Sequence, residues 1–235
     1  MVWIGSCNED NDTVQTGSLS IEFTSNLENL PLELVSRTYD HAPGGSFVVD
    51  DFKYYISNIK LINSNNGNVH ADEDGYYLIH KDQDYSNYAI TLNDVPSGKY
   101  NRIEFSIGVD PARNLSIDNI GDLDPNNQMA WNWNIGYKFM LLEGLFTDEQ
   151  QNEIPLVFHI GADPNYRTYL LDLPSELRIS KSNALSILIQ ADIEEFFSNP
   201  NTIDFNTANT VKHSPEASEL AENYGTDMFK IMSIE

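Results

Sequence analysis

Cysteine is almost missing from this 235-residue chain, with Cys7 the single one. An internal disulfide is therefore excluded, and so is a metal centre built on several thiolates. Positive charge is nearly as scarce. Thirteen Lys and Arg face thirty-six Asp and Glu, for a formal net charge of −23. So acidic a surface repels phosphate backbones, which argues against a nucleic-acid partner. It attracts cations without specifying a site for any of them. No apolar run reaches the length of a transmembrane helix. The chain also lacks a Gly-x-Ser-x-Gly elbow, a phosphate-binding glycine loop and a His-Glu-x-x-His helix. Its carboxylates are too numerous to single out a glycosidase pair. The expectation is a protein that is not an enzyme; a hydrolase is a rival that activity on sugar polymers would favour.

What is present is β-sheet patterning. Short runs with apolar residues two apart occur at Leu19–Phe23, Phe52–Ile62, Tyr76–Ile79, Tyr88–Leu92, Tyr100–Val109, Ile154–Ile160, Tyr166–Leu173 and Leu185–Ala191. Turn residues separate them, as in Ser64-Asn-Asn-Gly67 and Val95-Pro-Ser-Gly98. Helix is sparse. Ser214 and Pro215 open a short one running to about Asn223, Gly225 stops it, and Asp192–Ser198 suggests one more turn. This pattern predicts an all-β fold, an antiparallel β-sandwich with long loops and one or two short helices near the C-terminus. One domain over residues 18–235 suffices. The roughly 20-residue connection Asp110–Gln128 is long for such a fold, and ordered loops of that length commonly carry function.

The next stretch is the most informative. Met129, Trp131, Trp133, Ile135, Tyr137, Phe139 and Leu141 alternate with smaller or polar residues, which predicts one long half-buried strand. Its face carries two of the three tryptophans, a thioether and a tyrosine. Such a row is either packed aromatic core or an oxidisable surface suited to redox or soft-metal chemistry. His159, in Phe158-His-Ile-Gly161, sits between apolar neighbours; it is either a core histidine bonded to backbone or a metal ligand. His41, His70 and His80 lie in or beside polar loops, where exposed histidines are the default. The acidic groups Asp72-Glu-Asp74 and Asp118, Asp122 and Asp124 offer oxygen ligands without the spacing of an EF-hand.

Met129-Ala-Trp-Asn-Trp-Asn-Ile-Gly-Tyr-Lys-Phe139, with Phe52-Lys-Tyr-Tyr-Ile-Ser-Asn58, Phe105-Ser-Ile-Gly-Val-Asp110 and Phe158-His-Ile-Gly161, resembles the copper-binding proteins associated with methanobactin operons (MbnP-like), in their Bacteroidetes-type branch. The likeness runs from about Gly17 to Met232. It implies a copper site drawing on Met129, Trp131, Trp133 and His159, with His213 as a substitute donor. It also implies oxidation of a tryptophan to kynurenine by a di-haem cytochrome c peroxidase-like partner. Two departures stand out. Ser57 occupies a position where the methanotroph branch has a histidine, and the four-cysteine pattern of that branch is absent. If Lys138–Gly144 and Ile154–Ile160 form a simple hairpin, His159 lies near Phe139 and Trp133 falls roughly 20 Å further along, so direct co-ligation would need a shifted register or a third strand.

Ile4-Gly5-Ser6-Cys7 has the pattern of a bacterial lipobox, and Asn8–Gly17 is a polar acidic tether. Residues 1–17 thus read as a lipoprotein signal remnant and linker, with Cys7 lipidated, although only six residues precede it. The alternative is a free thiol on a tail. The lipobox pattern, together with what the resemblance implies, leads to the expectation of a periplasmic or surface protein, lipid-anchored, that carries or scavenges copper. The rival reading is a metal-free sandwich that recognises protein or glycan.

Overall fold

The computed structural model describes residues 14–81, 87–116, 119–132, 136–182, 184–212 and 215–235. Its strands, in chain order, are β1 (Thr16–Leu27), β2 (Leu30–Pro31), β3 (Tyr39–Asp40), β4 (Ser46–Asn63), β5 (Asn68–Ala71), β6 (Tyr76–Lys81), β7 (Asn87–Pro96) and β8 (Gly98–Ile107). After them come β9 (Ala130–Asn132), β10 (Gly136–Thr147), β11 (Glu153–Gly161), β12 (Arg167–Ile179), β13 (Ala184–Asp192), β14 (Thr210–Val211) and β15 (Phe229–Ile234). Among the described residues there are also three short α-helices, α1 (Pro111–Asn114), α2 (Ile193–Ser198) and α3 (Pro215–Tyr224), and three single 3-10 turns. Asp192 caps α2 by accepting from the Glu194 amide.

Two sheets face each other. The smaller runs β15-β13-β1, with β7 and β2 along the other edge of β1. The larger runs β12-β8-β4-β10-β11-β14. Between them lies an apolar core of alternate residues, such as Leu19, Ile21 and Phe23 from β1 and Phe52, Tyr54 and Ile56 from β4. Aromatic edges lock the layers together: Phe23 meets Tyr54 at 6.5 Å and Phe105 at 5.9 Å between ring centres. The sandwich is mixed rather than purely antiparallel, because β1 pairs with β13, and β11 with β14, in parallel. The C-terminal strand β15, which sequence patterning does not pick out, closes the edge beside β13.

The long strand β4 organises the large sheet. One edge holds β3, β6 and β5 in turn; the other holds β10 as far as Tyr54 and then β8 from Ile56. From Phe52 to Ser57 every residue is buried, so both faces of the sheet are covered here. Phe52, Tyr54 and Ile56 face the other sheet, while Tyr55 joins a second apolar cluster on the outer face with Val109, Leu123, Met129, Tyr137, Phe139 and Leu141.

The predicted long strand over residues 129–141 does not exist as one element. Asn132 pairs with Gly136 and Ala130 with Tyr137 in antiparallel register, so the chain reverses and forms a β9–β10 hairpin. Gly136 sustains the reversal with φ of +85°, and the Asn114 carbonyl occupies the space a Cβ would need. The aromatic row is thereby folded in two.

Candidate functional site

The outer face of the large sheet is covered by the Asp110–Gln128 connection, which is fastened at several points. Asn114, only 1% exposed, accepts the Tyr137 amide at 2.9 Å and donates to Asp163 at 2.7 Å. The Tyr137 hydroxyl donates to the Leu123 carbonyl at 2.6 Å, and that of Tyr55 to the Asp122 carbonyl at 2.8 Å. Asp122 in turn accepts from the Leu78 amide at 2.8 Å. Asp110 accepts from Asn58 at 3.2 Å and from the Tyr76 hydroxyl. The described part of the long connection thus forms a cover over the second apolar cluster.

His159 lies beside that cluster. Strand β11 pairs with β10 so that His159 stands opposite Leu141, and Leu141 stands opposite Lys53 of β4, which faces His80 of β6. One row across four strands therefore reads His80, Lys53, Leu141, His159. In the next row Asp51 faces Glu143. His159 Nε2 lies 2.6 Å from Glu143 Oε1, with the imidazole only 11% exposed. Burial, chiefly, holds the ring below the usual histidine range; Glu143 opposes that shift, and Lys138 and Lys212 reinforce it. On the far side Lys53 pairs with Asp51 Oδ2 at 2.8 Å. His80 Nε2 approaches Asp51 Oδ1 to 3.2 Å, but the two are misaligned and that oxygen is left without a hydrogen bond among the described residues.

The hairpin carries Trp131 to the same neighbourhood. Its ring stacks over Gly161, where an added Cβ would fall 2.6 Å from Cζ3 and would also strike the Tyr137 carbonyl. Gly161 is two residues from His159 on one strand, hence on one face. A glycine is required for the indole to lie down there. Ala162, next in the chain, is held at φ 71°, ψ 146°, a conformation that L-residues avoid and that costs about 1–3 kcal/mol. Strain of this kind beside a half-buried indole and a buried imidazole marks the spot as one the fold goes out of its way to build.

The remaining sequence candidates divide sharply. Met129 is fully buried within the second cluster, and its carbonyl accepts the Lys138 amide. Trp133, His213 and Cys7 lie outside the described residues. The neighbour of His213, Lys212, acts electrostatically on His159, since β14 runs parallel to β11 up to Val211. Ser57 is fully buried; it donates to the Gly108 carbonyl at 2.8 Å and lies 3.3 Å from the Tyr166 hydroxyl. It shares the outer face with Lys53 but stands four residues along β4, roughly 13 Å from the level of His159. His159 and Ser57 therefore do not form one site. Among the described residues no three of His, Cys, Asp and Glu come together as a metal-binding group. Asp72 and Asp122 each accept from a tyrosine hydroxyl, at 2.7 Å from Tyr77 and 3.3 Å from Tyr88.

His41 corrects the expectation of an exposed loop histidine. It is buried, stacks on Phe205 with 3.7 Å between ring centres, and is edged by Phe47, Phe146 and Phe197. Its Nε2 accepts the Phe205 amide at 3.2 Å. Burial pushes its pKa down to about 4. Sequence reasoning also passed over Glu143, Lys138 and Asn114, which frame the site. No local pattern singles them out, because their partners lie on other strands.

A family model, MbnP, matches residues 16–214. Among solved structures, MbnP from Methylosinus trichosporium is similar in fold, with a TM-score of 0.62 and 13% identity over 93% of this chain and 99% of that one. No curated protein sequence matches.

Proposed function

This chain belongs to the MbnP family, and on that footing we propose that it is an extracytoplasmic protein that binds copper as cargo, carrying or scavenging the metal without catalysing a reaction. The observation that supports this reading is the placement of the Trp131 ring against Gly161, two residues from His159 on the same face of β11, brought about by the β9–β10 hairpin. A neutral imidazole is a good copper ligand, and the depressed pKa of His159 keeps it neutral at physiological pH. The described residues supply one imidazole and no complete ligand set. Trp133 and His213, the other proposed donors, lie outside the described residues. An unmodified indole is a poor ligand, since its nitrogen carries a proton. Oxidation of Trp131 or Trp133 to kynurenine by a di-haem peroxidase-like partner would supply an amine and a ketone.

Lipidation of Cys7 would tether the domain to a membrane through residues 8–17. Metal analysis and intact mass, on protein co-expressed with the peroxidase in copper-supplemented medium, test the central claim. Stoichiometric copper, or a mass change of one carbon lost and one oxygen gained on a tryptophan, supports it. Absence of both under those conditions refutes it. The rival, a metal-free recognition module, draws support from Leu115 and Ile120, which stand 59% and 89% exposed on the covering connection.

A further inference from the structure

Positive charge is scarce in this chain, thirteen basic residues against thirty-six acidic ones, yet three ammonium groups come together on the outer face of the large sheet. Lys53 lies in the row of His159, with Leu141 between them. On the other side, β11 and β14 pair Val157 with Thr210 and Phe158 with Val211 in parallel, which carries Lys212 to the level of His159. Lys138 stands opposite Gly161, the residue against which the Trp131 ring lies. The nearby carboxylates are already engaged: Asp51 pairs with Lys53 at 2.8 Å, and Glu143 holds His159 at 2.6 Å. Lys138 and Lys212 join no ion pair among the described residues. Lys138 donates one of its three N–H groups to the Gln128 carbonyl at 2.8 Å. Burial, first, draws its ammonium below the usual lysine range; Glu143 opposes that, Lys53 and Lys212 add to it, and Asp51 opposes it. Like charges held this close repel one another, and a bound anion would relieve the repulsion.

We propose that Lys138 and Lys212, beside the Trp131 indole, form a binding site for a small organic carboxylate that carries a flat apolar part. An ammonium is a compact point charge with several donors, suited to a carboxylate oxygen without demanding a fixed fork geometry. Trp131 is partly exposed, and its ring borders Gly161 directly across from Lys138, so an apolar plate attached to the anion finds an aromatic neighbour there. A large acidic partner would meet the acidic surface around the patch. A small anion meets mainly the local lysines, because salt screens charges beyond about 8 Å. Glu143, 44% exposed, is the group that works against the anion. The inference uses no metal and stands apart from the copper reading.

The test titrates the full chain, labelled with 15N and treated with a chelator, with naphthoate and follows the backbone amide resonances. Acetate, inorganic phosphate and the neutral naphthylmethanol are the parallel probes. Naphthoate should shift the amides of Trp131, Lys138 and Gly161 saturably and bind more tightly than the other three. Lys212→Gln, at an exposed position that leaves the fold intact, should weaken it about 2- to 5-fold, and Lys138→Gln added to it about 3- to 30-fold in all. Glu143→Gln should tighten it about 2- to 5-fold. Lys181→Gln makes the same change of charge on an exposed turn elsewhere and should leave the affinity unchanged. The absence of a saturable shift at these amides overturns the inference, as does an equal loss in Lys181→Gln, which would mean that net charge alone is felt. Tighter binding of phosphate or of the neutral alcohol overturns the choice of an apolar carboxylate. Binding of naphthoate that appears only when copper is added back overturns the site itself, since the metal would then hold the anion.

Discussion

Acidification should destabilise this fold through His41 before the carboxylates begin to protonate. The ring lies against Phe205 within a cage of phenylalanines, and burial pushes its pKa from 6.5 down to about 4. In the unfolded chain the same imidazole takes a proton near 6.5. Between those values the unfolded state binds the extra proton, so stability falls as pH falls. The contribution is fully present above 6.5, declines by about 1.4 kcal/mol per pH unit, and is gone below about 4, a total of about 3 kcal/mol. His159, also depressed, acts in the same direction. Urea unfolding at pH 7.5, 6.5, 5.5 and 5.0 reads the slope in a window where most carboxylates stay ionised. His41→Phe keeps the ring volume but removes the acceptor of the Phe205 amide, so it should start about 1–3 kcal/mol lower at neutral pH. Its curve should nevertheless be flatter than the wild-type curve. Parallel pH dependences for the two proteins would show that the buried imidazole is not the proton-linked group.

Three further outcomes follow from the outer face. Gly161→Ala places a methyl group against Trp131 and the Tyr137 carbonyl, so it should cost about 1–3 kcal/mol and shift the tryptophan fluorescence maximum as the indole is displaced; an unchanged spectrum with wild-type stability would contradict the contact. Asn114→Ala leaves the buried Tyr137 amide unpaired and should cost about 1–3 kcal/mol. Hydrogen exchange should then quicken across 110–128 and at Tyr137, and uniform protection there would argue that Asn114 is no anchor. For copper, His159→Ala should abolish stoichiometric binding while His70→Ala leaves it intact; wild-type stoichiometry in the first variant would remove His159 from the site.

Period-two alternation was enough to locate nearly all of the main strands, since Leu19, Ile21 and Phe23 or Ile103, Phe105 and Ile107 each present one face to the core. It failed where the chain turns without a break in hydrophobicity. Met129 to Leu141 alternates regularly and reads as one strand, yet Gly136 within it stands at φ +85°. Folding the row in two brings Trp131 against Gly161, two residues from His159, while Trp133 lies outside the described residues. His41 failed for a different reason. Its own neighbours, His-Ala-Pro-Gly-Gly, read as a loop, and its cage is completed by Phe205, 164 residues away. Glu143 was invisible for the same cause: a partner on the next strand leaves no trace in local spacing.

The parallel seam between β1 and β13 has a consequence for how the molecule comes to be folded. Ser18–Asn26 finds its partner Ala184–Asp192 only after some three-quarters of the chain has been made. A ribosome or an export channel releases the N-terminal end first, so β1 emerges with β7 available along one edge and bare backbone along the other. An unpaired edge of that length is a template for intermolecular pairing while it waits. Closure of so distant a contact is also slow, because the loop entropy must be met before the pairing gives anything back. The −23 net charge then takes on a kinetic sense: mutual repulsion keeps partly made chains apart during the interval in which β1 has no second neighbour.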